Sequence, residues 1–249
     1  MDPIVLHIPH SSPQIPFYDG FVLGKKTIHD EINLLTDWFT DELFDLDYPK
    51  IVAPFSRVFC DVEKFEDDSL EVMAKKGMGM CYTHQDNGDL MRVVDPGLRE
   101  RIKSDYYIPH HRALEDLTSE LLHKYGQVTI IDCHSFSDIP FNRDLNKDIP
   151  RPDFCLGVDE YHTPESLYRP VKELLTNLGY TVLINNPYLG TMIPLKYSQK
   201  NPDVLGLMIE VNRKLYMTIE NGEIIKTSGF EKTRNIIKET IQVAGSIPV

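Results

Sequence analysis

Cysteine is scarce in this sequence. Cys60, Cys81, Cys133 and Cys155 are the only four, far apart and with no C-x-x-C pair, which excludes a disulfide framework. Cys60 and Cys133 fall inside apolar runs, where a free thiol acts as a small hydrophobe, so a reduced, cytoplasmic protein is expected. Positive charge is also short, with 26 Lys and Arg against 38 Asp and Glu and a formal net charge of -12. Phosphate neutralisation needs a basic face, so a nucleic-acid binder is excluded. An anionic small molecule would need local cations to override the global field. No apolar stretch is long enough to span a membrane, and the opening "MDPIVLHIPH" has no basic segment of the signal-peptide kind. No linker rich in Gly, Ser or Pro interrupts the 249 residues, so one domain over residues 1–249 is expected.

What the chain does contain is an alternation of strand and helix. "IVLHI" reads as a first strand, followed by the Pro-broken "PHSSPQIP". From about Asp30 to Leu46 the apolar residues Ile32, Leu35, Trp38, Phe39 and Leu43 recur at helical spacing. "KIVA" and "RVFCDV" read as short strands. "VDPGLRERIKSDYYIPHHRALEDLTSELLHKYG" reads as a long helical region broken or kinked at Pro109 and capped by Gly126. "VTIIDCH", "DFCLGV", a helix over Pro164 to Leu178, "YTVLINN", "VLGLMIEVN" and a last helix over Glu231 to Ala244 complete the series, and "TIENGEII" suits a small hairpin. Strands separated by helices predict a three-layer α/β/α architecture with a mixed, largely parallel sheet covered on both faces.

Four of these strands end on polar groups: "IVLHIPH" at His10, "RVFCDVE" at Asp61 and Glu63, "VTIIDCHS" at His134 and Ser135, and "LGLMIEVNR" at Glu210, Asn212 and Arg213. If the strands are parallel neighbours, their carboxyl ends meet at one edge of the sheet, where ligands of open α/β sheets bind. Two imidazoles and a carboxylate form a standard catalytic zinc set with a position left for water. A further carboxylate can move the proton of that water to a leaving amine, and Arg57 and Arg213 are placed to bind acidic groups or an oxyanion.

Plainer readings stand beside these. A lone histidine after a strand is commonly a hydrogen-bonded loop residue; what singles out His10 and His134 is their coincidence beside carboxylates. Glu210, within "LGLMIEV", would need a partner if buried, and a structural ion pair with an arginine meets that need. His110 and His111 are helical neighbours about 100° apart, so the two do not share one metal; His111 is instead a candidate substrate contact, as are Ser135 and Asn212. His84 reads as a surface group, His7 as packed within its strand, and "EKFEDDSLE" as a solvated face. Spacing along "RVFCDVEK" does not separate Asp61 from Glu63, although Asp61 follows the apolar run more closely and its shorter side chain fixes a ligand better.

The ordered set "HIPHSS", "SRVFCDVEK", "YYIPHHRAL", "IDCHSF", "PDFCLG", "NNPYLG" and "MIEVNRKLYM" resembles the N-formylglutamate amidohydrolase family over nearly the whole chain. The resemblance implies a zinc-dependent hydrolase with a carboxypeptidase-like fold. Its reaction would be N-formyl-L-glutamate plus water giving formate and L-glutamate, the closing step of one histidine degradation route. Position by position, it implies His10, Asp61 and His134 as metal ligands, Glu210 as general base, and Arg57 and Arg213 as holders of substrate carboxylates or the oxyanion. The family's Asp-x-Asn-Arg pattern is "DVEK" here; lysine does not reproduce a bidentate guanidinium contact, which leaves the substrate side chain open. An amidase for another N-acyl amino acid or a peptidoglycan-like amide is the alternative within this chemistry, and a binding protein on a degenerate scaffold the alternative outside it. No G-x-S-x-G elbow is present, which argues against a serine hydrolase.

Overall fold

In the computed structural model, which describes residues 3–220 and 222–246, a six-stranded sheet runs in the order β2-β1-β3-β6-β4-β5. The central strands β1 (Ile4–Ile8), β3 (Val128–Phe136) and β6 (Val204–Asn212) are buried throughout, as near-continuous apolar runs in a sheet covered on both faces must be. β2 (Lys50–Val52) and β5 (Val182–Ile184) are short, partly exposed edges. β2, β1, β3 and β6 are parallel. β4 (Phe154–Gly157) runs antiparallel to β6 and parallel to β5, so the sheet is mixed and mostly parallel, as expected.

Alternation along the strands divides the core. One face carries Ile4, Leu6, Ile131, Cys133, Leu207 and Ile209, packed with α2 (Thr40–Leu43), α5 (Glu165–Asn177) and α6 (Phe230–Gly245). The other carries Val5, Val128, Ile130 and Val204 under Leu114 and Leu121 of α4 (Ile108–Tyr125). On this second face the same alternation continues through His7, Asp132, His134 and Glu210. The amino-terminal half of each strand there is apolar core and the carboxyl half is polar, which is what opens a site at that edge.

Two expected elements are absent. The helix over Asp30 to Leu46 is two helices, α1 (Lys25–Leu35) and α2, parted by Thr36–Phe39. Thr36 turns its hydroxyl back to the Ile32 carbonyl, Asp37 N–H donates to the His10 carbonyl, and Phe39 adopts φ 64°. A tertiary hydrogen bond to the loop after β1 thus overrides the helical period. "RVFCDV" is a turn rather than a strand: Phe59 and Cys60 N–H both donate to the Ser56 carbonyl and Asp61 N–H to that of Met80. Its residues are buried in succession because the turn is wedged between two satellite clusters, one with Phe55, Met80 and Ile102, the other with Ile28, Met78 and Tyr82. The buried Arg92 guanidinium pins it by donating to the Phe59 carbonyl at 2.9 Å.

Pro109 lies in the first turn of α4, where its missing N–H costs nothing. The helical region continues back through a wide π-type stretch, Lys103–Tyr107, into α3 (Pro96–Ile102) rather than breaking at the proline. Gly126 closes α4 at φ 80°. β7 (Met217–Glu220) and β8 (Glu223–Lys226) form the expected hairpin; Asn221 of its Asn-Gly pair lies outside the described residues. The segment after β5 lies directly on the sheet, because a Cβ at Gly157 would collide with the Gly190 carbonyl and one at Gly206 with Ile193 and Thr191.

Candidate active site

The carboxyl ends of β1, β3 and β6 open into a cavity of about 880 Å³ lined by His10, Glu63, His134, Glu210, Arg57, Arg213 and Ser135 among others. His10 follows β1, while His134 and Glu210 face each other in register across β3 and β6. The fourth group arrives from the turn after β2 rather than from a strand.

Each imidazole at the floor is oriented by a carboxylate. His10 Nε2 is bonded to Asp61 Oδ1 at 2.9 Å, and His134 Nδ1 to Asp37 Oδ2 at 3.2 Å. Asp61 also accepts from Tyr82 Oη at 2.6 Å, from Arg57 Nη2 at 3.0 Å and from Glu63 N–H at 3.1 Å. Burial pushes the Asp61 carboxyl up, but the Arg57 guanidinium and the His10 hydrogen bond outweigh that and hold it well below the usual carboxylate range. Asp37 is likewise penalised by burial, yet the His134 hydrogen bond and the Arg213 guanidinium keep it ionised. Carboxylate–imidazole pairs of this kind fix ring orientation behind metal-ligating histidines.

Asp61, expected as the carboxylate ligand, therefore has its oxygens committed behind His10 and does not line the cavity. Glu63 lines it instead. Its Oε1 stands 3.1 Å from His134 Nε2 and its Oε2 3.7 Å from His10 Nδ1. His10 Nδ1 is buried without a hydrogen-bond partner, and the ligand atoms of His10, Glu63 and His134 lie within 4.8 Å of one another. An orphaned buried imidazole nitrogen facing a carboxylate and a second imidazole fits a zinc-type donor set of two nitrogens and one oxygen. Burial lowers the His10 pKa, with Arg57 adding to the effect, which favours the neutral ring a ligand needs, whereas at His134 the Glu63 and Asp132 charges outweigh burial and raise the pKa.

Glu210 supplies the remaining acid–base group. Its Oε2 is buried and unpartnered, and burial, with the Asp37 and Glu63 charges, pushes its pKa up to about 8 despite the opposing pull of His134 and Arg213. The structural ion-pair reading of Glu210 is not met, because Arg213 is engaged elsewhere: it donates to Asp37 Oδ1 at 2.9 Å, to Ser135 Oγ at 3.2 Å and to the Leu34 carbonyl at 2.9 Å. Arg57 lines the cavity with its Nη2 and Nε on Asp61. Ser135 lines the wall with its hydroxyl on Arg213. Asn212, expected as a substrate contact, is fully buried outside the cavity lining, donating to Asp138 and to the Pro152 carbonyl. It braces the chain after β6.

The adjacent histidines diverge as helical geometry requires. His110 turns inward to His7 Nε2 at 2.9 Å, and His7 Nδ1 reaches Asp132 at 2.8 Å; His7 is thus part of a polar chain rather than merely packed. His111 lines the cavity with its ring 4.2 Å from that of Tyr107, and burial lowers its pKa to about 4. Asp37 and Asp132 are the site residues not singled out as candidates from the sequence, whereas Glu63 stood there beside Asp61 as the second carboxylate of its segment. Asp132 had a signal, since it shares a strand face with His134.

Buried, paired carboxylates and imidazoles at the carboxyl edge of a parallel sheet, around a cavity of ligand size, are the setting of a hydrolase. The chain belongs to the N-formylglutamate amidohydrolase family, whose model matches residues 2–217. No curated protein sequence matches it. Its fold is similar to the crystal structure of N-formylglutamate amidohydrolase from Ralstonia eutropha JMP134, with a TM-score of 0.83 at 24% identity over 99% of this chain and 94% of that one. It is also similar to a gene product of Agrobacterium tumefaciens, with a TM-score of 0.66 at 16% identity over 98% and 89% of the two chains.

Proposed function

We propose that the protein hydrolyses the amide bond of a small N-acyl amino acid, N-formyl-L-glutamate above all, using one zinc ion held by His10, Glu63 and His134. The observation that carries this reading is the orphaned His10 Nδ1 facing Glu63 and His134 beside the unpaired Glu210 carboxyl, in a chain of this family. When bound, zinc would supply a Lewis acid that polarises the scissile carbonyl and makes water acidic enough to ionise near neutrality. Glu210 takes the proton of the attacking water and returns it to the leaving amine, a role its raised pKa suits. Asp61 and Asp37 keep both imidazoles aimed, and Arg213 holds Asp37 in place. Arg57 is the best-placed cation for a substrate carboxylate, with His111 and Ser135 on the wall beside it.

With N-formyl-L-glutamate the products are formate and L-glutamate, which would make this the closing step of a histidine degradation route. The four free, buried thiols suit a reducing cytoplasm. Among the described residues no helix is long and apolar enough to cross a membrane. The test is to follow formate release from N-formyl-L-glutamate with protein of measured metal content, before and after chelation. Release that stops on chelation and returns with zinc is expected. Full activity in metal-free protein would overturn the metal, and no release from metal-replete protein would overturn the substrate.

A further inference from the structure

Among the described residues, four side-chain atoms on the cavity lining are buried without a hydrogen-bond partner: His10 Nδ1, Glu210 Oε2, Thr191 Oγ1 and His111 Nε2. The proposed function uses the first two. A hydroxyl rotates to suit donor or acceptor alike, so Thr191 carries no direction. His111 does. Its ring lies 4.2 Å from that of Tyr107 and bonds to the backbone of Val62, the residue before Glu63, in a contact that favours protonation and so has the Val62 carbonyl as acceptor. Because Nε2 has no partner, the donor is Nδ1. Burial lowers the His111 pKa to about 4, and a neutral imidazole with its one proton on Nδ1 presents only a lone pair at Nε2. His111 therefore meets a ligand as an acceptor, and a carboxylate gains nothing there.

That polarity is selective. An N-formyl amino acid has a single hydrogen-bond donor, the N–H of the amide to be cleaved, while its carboxylates and formyl oxygen only accept. The carboxylates of the wall are already engaged. Asp37 takes Arg213, His134 and Ser135 N–H, and Asp132 takes His7 and Met192 N–H. Asp144, Asp148 and Asp159 take Arg151, Asn146 and His162 N–H respectively. Glu63 belongs to the proposed metal set, and Glu210 must face the lone pair of the nitrogen to deliver its proton. What remains for the N–H is His111, brought in by the first turn of α4 rather than by a strand.

Resting on the hydrolase reading above, we infer that His111 Nε2 accepts the N–H of the scissile amide and makes the enzyme an amidase that discriminates against the matching ester. In the reaction the water oxygen bonds to the formyl carbon, the C–N bond breaks, and the proton carried by Glu210 goes to the nitrogen, which leaves as an amine. The nitrogen must turn pyramidal for this. Holding its N–H on His111 leaves the developing lone pair to face Glu210, so the contact counts most as the bond breaks and is read in kcat more than in KM. An ester oxygen at the same place has no proton to give and sets lone pair against lone pair.

The test compares N-formyl-L-glutamate with its ester counterpart, 2-(formyloxy)glutarate of the same configuration, as substrates of metal-replete wild type, His111→Phe and His111→Leu, after subtraction of uncatalysed ester hydrolysis. Neither variant has an acceptor at this position, and Phe keeps a ring beside Tyr107. Circular dichroism checks the fold and elemental analysis the metal. Each variant should lose roughly 10–100-fold in kcat on the amide, the range for leaving one buried polar group unpaired, and less than about threefold on the ester. Equal or larger losses on the ester overturn the contact while keeping the proposed function, since His111 then acts on water or on the fold. Hydrolysis of neither compound by wild type overturns the proposed function. Calorimetry then decides the contact: wild type that binds the amide more tightly than the ester, with the preference gone in His111→Phe, supports it, and equal or absent binding overturns it.

Discussion

At the floor of the cavity every imidazole nitrogen of His7, His10 and His134 except His10 Nδ1 is bonded, and Asp37 and Asp61 each serve several donors. At the rim, Phe65, Leu145, Leu189 and Leu195 stand in solvent. The floor is over-determined: a group there is held by neighbours that would themselves be left buried and unpaired if it moved. The rim is held only by the segments that carry it, and its side chains contribute nothing to the core. A change at the floor should therefore alter the chemistry for every substrate, and a change at the rim should alter only which substrate is preferred.

The largest effect should come from the donor set. His134→Ala should lose bound metal and nearly all activity, while an unchanged circular dichroism spectrum reports a retained fold; full metal occupancy by elemental analysis would break the assignment. Glu210→Gln should keep its metal and lose roughly 10²–10⁴ in kcat, the usual contribution of a positioned acid or base. Metal loss in that variant would move Glu210 into the donor set. Next come the two carboxylates after β2. Glu63→Gln should abolish tight metal binding, whereas Asp61→Asn, which only disorients His10, should weaken it by about 10–100-fold. A chelator titration that ranks them the other way restores Asp61 as the ligand. A smaller effect is expected at Arg57, where exchange for Met should cost about 1.5–3 kcal/mol in kcat/KM, the range for a hydrogen bond to a charged group. The cost should fall mainly on N-formylglutamate and much less on N-formylglutamine, and equal losses would give Arg57 a structural role through Asp61.

Protonation sharpens the same comparison in metal-free protein. Burial raises the Glu210 pKa from 4.5 to about 8, so the folded state holds this proton more tightly than the unfolded chain. The associated stability is complete below about pH 4.5 and is lost as pH rises toward 8. Over that window metal-free wild type should fall in stability relative to metal-free Glu210→Gln, as urea midpoints will show; parallel curves would mean that Glu210 is ionised throughout.

The strand ends were legible because period-two patterning and parallel order place His10, His134 and Glu210 at one edge without any knowledge of loops. Long apolar runs marked β1, β3 and β6, and Gly126 marked the end of α4. Asp37 was hidden within a run whose apolar spacing imitates a continuous helix; what breaks it is a hydrogen bond to the His10 carbonyl, and sequence order carries no trace of that contact. That Glu63 rather than Asp61 faces the cavity was hidden for a related reason. A turn gripped between two small cores buries consecutive residues just as a central strand does, so the alternation used to compare Asp61 with Glu63 had no strand to act on. The commitment of Arg213 to Asp37 follows from the same missed break.

The four thiols bear on how the molecule could be watched while it opens. Cys60 lies in the turn that carries Asp61, Cys81 in the segment packed against that turn, Cys133 in β3 and Cys155 in β4. Burial pushes all of them up, Cys81 to about 11 and Cys155 to about 12, so in the folded protein each is both shielded and protonated, and thiolate reagents find no target. Each becomes reactive only when its own surroundings part. Timed alkylation read by peptide mass would therefore give four separate clocks, one on the turn that carries Asp61 and Glu63, one in the segment packed against it and two in the sheet, with no label introduced.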